Sequence, residues 1–235
     1  MTSPRFFALV PAAGIGERAG AAGPKQYVAI AGRPMLAHTL AALAAVPRLA
    51  QTLVVLAPAD ERFEAALPGC AAWVARVGGA SRAESVLGGL AELRRRGALD
   101  DDWVLVHDAA RCLLRPEWVD ALIDACADDA VGGLLAQPVA DTLKAGDADG
   151  RVTATVDRRD KWAAQTPQMF RLGLVERALQ AMGAAATDEA SAVEALGLAP
   201  RLVRASMANF KVTWPEDFAL AERLLTARAA PAPAR

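Results

Sequence analysis

Two cations, Arg18 and Lys25, stand in a loop with five glycines between an apolar run at 6–12 and a helical pattern that opens at Pro34. Gly14 and Gly16 carry no side chain, so backbone N–H groups there can approach an anion closely. A long basic loop of this kind suits the wrapping of a nucleoside triphosphate; a flexible connection is the competing reading. The spacing Gly14-x-Gly16-x-x-x-Gly20 places the third glycine one residue beyond the dinucleotide fingerprint, and no Gly-Lys-Ser/Thr stands directly before the helix as a P-loop requires. Only four of the 26 cationic residues are lysines: Lys25, Lys144, Lys161 and Lys211. Lys25 (GPKQY) and Lys211 (NFKVT) sit in short apolar contexts, and a buried unpaired ammonium is costly, so each calls for an anionic partner.

Two further segments carry polar groups at the ends of apolar runs. In GGASRAESVLGGL (78–90) Ser81 and Glu84 have the spacing of a capping box, which accounts for both without any ligand. Arg82 and Ser85, in the first helical turn, are left to contact a nucleotide. In WVLVHDAARCLL (103–114) His107, Asp108 and Arg111 follow a hydrophobic run, where an Asp–Arg pair fixing a turn is the alternative. His38 and His107 are the only histidines, too few for a metal cluster, and both read as packing or hydrogen-bonding residues. No Gly-x-Ser-x-Gly elbow or Cys–His pairing offers a covalent nucleophile.

The elements that must hold these groups alternate. Runs at 6–12, 52–58, 72–77, 103–109 and 132–139 lack polar alternation, as strands buried on both faces of a parallel sheet do. Helical patterns lie between them at about 34–46, 60–66, 81–96 and 116–127. This predicts a doubly wound α/β sheet with ligands at the carboxyl ends of its strands. The rhythm breaks in the polar stretch 140–167, where GDADG between Thr/Val-rich arms signals a hairpin. It has too little apolar surface to pack alone, which favours an arm packed on something else, such as a second subunit, over a surface loop. Helices near 171–182 and 188–196, strands at 201–205 and 209–213, a helix at 215–228 and a frayed Ala/Pro-rich tail at 229–235 complete the reading.

With 235 residues, 54% apolar and 23% charged, the composition is that of a globular chain. A net charge of −1 argues against a general grip on nucleic acid or anionic membrane. Cys70, Cys112 and Cys126 form neither a CxxC pair nor an even set, as expected of reduced thiols. The longest uncharged run, Pro34 to Pro47, is shorter than a membrane span needs, so a soluble intracellular protein is expected.

Eight segments in order, PAAGIGERAGAAGPKQY, GGASRAESV, VHDAARC, PVADTLK, TVDR, QTPQMF, TDEASAVEALG and NFKVTWPEDFALAE, resemble the 2-C-methyl-D-erythritol 4-phosphate cytidylyltransferase family from about residue 5 to 228. The resemblance implies a cytoplasmic, homodimeric, single-domain nucleotidyltransferase with a Rossmann-like, mostly parallel sheet and a β-arm (about 140–160) that crosses to its partner. It implies CTP and methylerythritol phosphate as substrates, Mg²⁺ held mainly by the CTP phosphates rather than by protein ligands, and a place in the non-mevalonate isoprenoid pathway. Carried over by motif, Arg18, Lys25, Arg158 and Lys211 form the catalytic set, with Arg18 and Lys25 at the α-phosphate. Pro11, Ala12, Ala13, Gly14, Gly16, Gly79, Ala80, Arg82, Ser85, Asp108 and Ala109 line the nucleotide. Asp108, Arg111, Thr142, Arg158, Thr166 and Lys211 meet the methylerythritol phosphate, with Arg158 reaching across the dimer. Ala80 stands where the family pattern calls for a polar or acidic residue, and Cys112 where it has proline. A cytidylyltransferase for a pentitol phosphate such as ribitol 5-phosphate would share the nucleotide half. A nicotinamide oxidoreductase lacks support in the misplaced third glycine, and a nucleotide sensor with a decayed site would have lost Arg18, Lys25 or Asp108.

Overall fold

The computed structural model describes residues 3–14 and 23–229. Gly16, Arg18 and tail residues 230–235 lie outside the described residues. β1 (Phe6–Pro11) is an interior strand of a seven-stranded sheet whose remaining strands are β4 (Leu49–Val55), β5 (Trp73–Ala75), β6 (Trp103–Val106), β7 (Gly132–Pro138), β10 (Trp162–Arg171) and β11 (Arg201–Arg204). Their order is β11-β7-β10-β6-β1-β4-β5, and every neighbouring pair is parallel except those made by β10. From β1 the chain winds outward through β4 and β5 on one side and then returns to β6 on the other. That is the switch point where α/β sheets open a crevice.

Alternation along β1 shows why helices cover both faces. Phe7 and Leu9 pack into one buried cluster with Val86, Leu90 and Leu93 of α3 (Arg82–Arg95) and Val175 and Leu179 of α5 (Leu172–Met182). Ala8 and Val10 point the other way, onto Leu36, Leu40 and Leu43 of α1 (Met35–Ala44) and Val119, Leu122 and Ile123 of α4 (Pro116–Cys126). A third cluster joins Ile30, Met35, Leu113 and Val212 to α7 (Pro215–Ala229). Two small elements near the cleft, β2 (Ala29–Ile30) and β3 (Arg33–Pro34), form a separate antiparallel pair. No helix among the described residues is long and apolar enough to cross a membrane.

Several expected boundaries move. β4 begins at Leu49 rather than 52, pairing from there with β1. The helix expected at 60–66 shrinks to α2 (Phe63–Ala66), because the Asp60 carboxylate accepts from the N–H groups of Arg62 and Phe63 and holds a turn first. The run 103–109 leaves the sheet after Val106, and the helix at 188–196 becomes α6 (Glu189–Glu194). The strand expected at 209–213 is absent. Its backbone is spent elsewhere: Val212 N–H donates to Ala110 O, and the Thr213 and Trp214 N–H groups donate to Asp217.

The largest departure is β10, a ten-residue antiparallel strand (Trp162–Arg171) that begins just after the expected arm (about 140–160), where no strand was expected. Pro167 would ordinarily exclude a central strand, since it brings no N–H to the ladder. A register shift between Ala164 and Gln168 takes Gln165–Pro167 out of the pairing with β7 and resolves the conflict. The arm itself is shorter, an antiparallel pair of β8 (Leu143–Gly146) and β9 (Val152–Val156), and all of β9 is exposed. Its turn is tied by Asp147, whose carboxylate accepts from Asp149 and Arg151 N–H.

Gly132, where β7 enters beside β10, has φ +108°, and a Cβ there would lie 2.2 Å from Met169 O. Gly132→Ala is expected to cost about 2–3 kcal/mol through positive-φ strain and a backbone clash. Urea unfolding of the variant measures that loss.

Candidate active site

A cleft of about 390 Å³ opens beyond the carboxyl ends of β1, β5 and β6. Each wall follows from a local device. Gln26 is buried and donates to Ala12 O at 2.8 Å, which fastens the single 3-10 turn Lys25–Tyr27 to the end of β1. The Lys25 ammonium thereby enters the cleft, 2.9 Å from Val212 O. A side chain at Gly78 would meet Ala13 Cβ at 2.3 Å, so glycine is what lets the chain beyond β5 close against the end of β1. Ser81 caps α3, its Oγ accepting from Glu84 N–H at 3.1 Å. Glu84 reaches back one residue further than a capping box requires, accepting from Ala80 N–H at 2.8 Å.

Most of the residues proposed from sequence converge here. Pro11, Ala12, Ala13, Gly14, Lys25, Gly79, Ala80, Arg82, Ser85, Asp108, Ala109 and Lys211 all line the cleft, joined by Gln26, Met35, Ser81 and Ala110. Gly79 N–H donates to Ser85 Oγ at 3.1 Å, so both the Gly79 and Ala80 amides are engaged within the protein. A base read through these amides has to take the place of Ser85 Oγ or the Glu84 carboxylate.

Arg111, Thr142, Arg158 and Thr166 do not line the cleft. Arg111 donates to Asn209 O at 2.8 Å and Ala164 O at 3.3 Å, while its buried Nε has no hydrogen-bond partner among the described residues. Thr166 lies beneath the floor: its Oγ1 accepts from Asp108 N–H at 3.0 Å and stands 3.0 Å from His107 Nδ1. If the hydroxyl donates to Nδ1, the His107 Nε2–H is left to face Arg111 O at 3.3 Å. Burial lowers the His107 pKa to about 4, in keeping with a neutral hydrogen-bonding residue rather than a base. Thr142 and Arg158 are exposed at the root of the arm, where the Arg158 guanidinium donates to Ala140 O.

The electrostatic centre is a chain of ion pairs. Arg82 Nε meets Asp108 Oδ1 at 3.0 Å, and Asp108 Oδ2 meets Lys211 Nζ at 2.8 Å. The anionic partner required for Lys211 is thus inside the protein. Burial would raise the Asp108 pKa, but Arg82, Lys211 and Arg111 outweigh it and hold the carboxyl far below the usual range. Burial likewise opposes the charge on Arg82, and Glu189 together with Asp108 reverses that, raising the guanidinium. Sequence reasoning overlooked Glu189, which is fully buried and takes the Arg82 fork with Nη1 at 2.6 Å and Nη2 at 3.0 Å. Its position hid it: an acidic residue directly after the Asp188 cap of α6 reads as complementing the helix dipole.

Chemically the cleft offers charge, and no cysteine or histidine is among its described lining residues. Lys25, Arg82 and Lys211 lie around it with Asp108 as the carboxylate between two of them. Cys112 is buried, and burial pushes its thiol up to about 12, which removes it as a reacting group. No group of three or more His, Cys, Asp or Glu among the described residues is placed to cage a metal ion.

A family model described as 2-C-methyl-D-erythritol 4-phosphate cytidylyltransferase (IspD) matches residues 6–227. A bifunctional IspD/IspF enzyme of Albidiferax ferrireducens is 60% identical over 228 residues, which are 97% of this chain and 54% of that protein. The chain therefore spans about half the length of that relative. A 2-C-methyl-D-erythritol 4-phosphate cytidylyltransferase of Paraburkholderia xenovorans is 56% identical over 233 residues, 96% of this chain and 98% of the relative. Among solved structures, a 4-diphosphocytidyl-2C-methyl-D-erythritol synthase superposes with a TM-score of 0.84 at 42% identity, covering 95% of this chain and 100% of the other. The Francisella tularensis 2-C-methyl-D-erythritol 4-phosphate cytidylyltransferase gives 0.80 at 31% identity, with 94% and 99% covered.

Proposed function

The chain belongs to the 2-C-methyl-D-erythritol 4-phosphate cytidylyltransferase family, and from that footing we propose how its residues transfer CMP from CTP to 2-C-methyl-D-erythritol 4-phosphate. The products are 4-diphosphocytidyl-2-C-methyl-D-erythritol, an isoprenoid precursor, and pyrophosphate. The observation that carries this reading is the cleft at the sheet's switch point, where Lys25, Arg82 and Lys211 gather and where no cysteine or histidine stands among the described lining residues. The attacking oxygen belongs to a phosphate monoester whose second pKa is about 6, so it is already anionic at neutral pH. It attacks the α-phosphorus of CTP and the bond to the bridging oxygen of pyrophosphate breaks, with no general base required. The barrier lies in bringing two polyanions together while charge accumulates on the α-phosphate oxygens.

In this scheme Lys25 and Arg18 meet the α-phosphate, and the backbone of residues 11–14 and Gly16 follows the triphosphate. Gly79, Ala80, Arg82, Ser85, Asp108 and Ala109 hold the nucleoside. Lys211, Arg111 (through its free Nε), Thr142 and Arg158 receive the methylerythritol phosphate, with Thr166 fixing the Asp108 backbone below them. Both oxygens of Asp108 and both of Glu189 are engaged by Arg82 and Lys211. With these carboxylates engaged, Mg²⁺ would be held mainly by the CTP phosphates and would supply neutralising charge there. The exposed β8–β9 pair, with Val152 and Val156 on its surface, supports a homodimer in which the arm packs on the partner and brings Arg158 to the partner's acceptor site. The reading places the enzyme in the cytoplasm with no nucleic-acid or membrane partner.

Mass spectrometry after incubation with all four nucleoside triphosphates and either methylerythritol phosphate or ribitol 5-phosphate tests the assignment. The cytidylated methylerythritol is expected alone; a cytidylated ribitol product in its place overturns it. Arg158→Ala is expected to weaken methylerythritol phosphate binding about 10-fold or more, the worth of a charged hydrogen bond, with CTP affinity kept. Equal loss of both by calorimetry would make the arm a structural element only.

A further inference from the structure

We propose that Glu189, which does not itself line the cleft, is a positioning residue that sets the two cations on either side of Asp108. This rests on the reading of the cleft as a CTP site. The guanidinium of Arg82 is held on both sides: Nη1 and Nη2 donate to Glu189 at 2.6 and 3.0 Å, and Nε donates to Asp108 at 3.0 Å. With its fork occupied, Arg82 offers Asp108 a single N–H, which leaves Asp108 Oδ2 for Lys211 at 2.8 Å.

Glu189 is held by its surroundings. It is fully buried at the first position of α6. The neighbouring Ala190 N–H donates to Gln168 Oε1 at 2.7 Å, and Gln168 Nε2 donates to Asp188 at 2.8 Å, so the helix end is pinned to β10. If Glu189 loses its charge, the Arg82 fork is released. A free fork beside a carboxylate makes a two-pronged pair, and that pair would take Oδ2 from Lys211. One buried carboxylate thus fixes the spacing of two cleft cations, Arg82 and Lys211, without meeting the ligand.

The test is a double-mutant cycle read by calorimetric CTP binding in the presence of Mg²⁺, with Glu189→Gln, Arg82→Ala and the pair of substitutions together. Glu189→Gln is expected to weaken CTP binding about 10-fold or more in the wild-type background and by less than about 2-fold in the Arg82→Ala background. The same loss in both backgrounds overturns the proposal, since a role in general stability does not depend on Arg82. Should Glu189→Gln fail to fold, Arg82→Lys serves instead, because it keeps a charge opposite Glu189 and removes the fork. Positioning predicts weakened CTP binding for that variant; wild-type affinity overturns it. Pyrophosphate release by the unsubstituted enzyme with CTP and methylerythritol phosphate separates the two levels. Turnover with an additive cycle sinks the positioning role alone, and CTP binding with a non-additive cycle but no turnover sinks the assigned reaction alone.

Discussion

Lys25→Ala is expected to lower turnover by about 10²–10³, the usual loss when one preorganised charge at a developing oxyanion is removed, while the protein stays folded. The folding half of that expectation comes from the wall that carries Lys25. Its turn is fastened by Gln26 to Ala12 and by the Tyr27 hydroxyl to Asp60 at 2.8 Å, neither of which involves the ammonium. The catalytic half follows from its place in the cleft, since two negatively charged reactants meet only where charge of the opposite sign is already fixed. Steady-state pyrophosphate release paired with a thermal melt decides it. Near-wild-type turnover would remove the electrostatic account of the reaction.

Arg82→Met is expected to be the most destabilising of the cleft substitutions. It leaves Glu189 fully buried without its bidentate partner and Asp108 with one cation fewer. Breaking a buried pair on one side costs about 3–5 kcal/mol, which in a chain of this size lowers Tm by roughly 6–20 °C. The pH dependence has a definite sign. Burial already pushes the Glu189 carboxyl upward, and Arg82 is what opposes it. Without Arg82 the protonated form is favoured in the folded protein, so the penalty vanishes below the unfolded glutamate pKa, near 4.3, and is complete above the raised folded value. The gap in Tm between variant and wild type should therefore narrow as pH falls from 7.5 toward 5. In the wild type, Asp108 is depressed well below that window and keeps its contribution throughout it. A gap that is constant or widens would show that the buried carboxylate is not the source of the loss.

How much of this could be read from residues alone depends on whether the deciding interaction is local. The strands around β1 and helix α3 with its Ser81 cap are local events, set by apolar runs and one side chain, and they were legible. Pro11, Ala12, Ala13, Gly79, Ala80 and Ala109 were implied by the family resemblance, whereas the convergence of Gly14, Arg82, Ser85 and Asp108 was legible because the ends of parallel strands gather at one edge. β10 was not, because Pro167 argues against a strand and only the register shift opposite β7 accommodates it. The strand expected at 209–213 failed for a related reason. An apolar stretch with β-branched residues has strand character, but its N–H groups are claimed by Ala110 and Asp217, contacts that sequence spacing cannot reveal. Glu189 was hidden most completely: 107 residues separate it from Arg82, and nothing near either one announces the other.

The long antiparallel strand has a mechanical consequence. β10 starts at the root of the exposed hairpin, runs between β6 and β7, and carries Thr166 to the underside of Asp108. At about 3.4 Å per residue its ten residues span roughly 30 Å or more, stitched to neighbours on the way. The hairpin is mounted on a bracket rather than hung from a tether, and any body seated on it keeps a set bearing to the nucleotide floor.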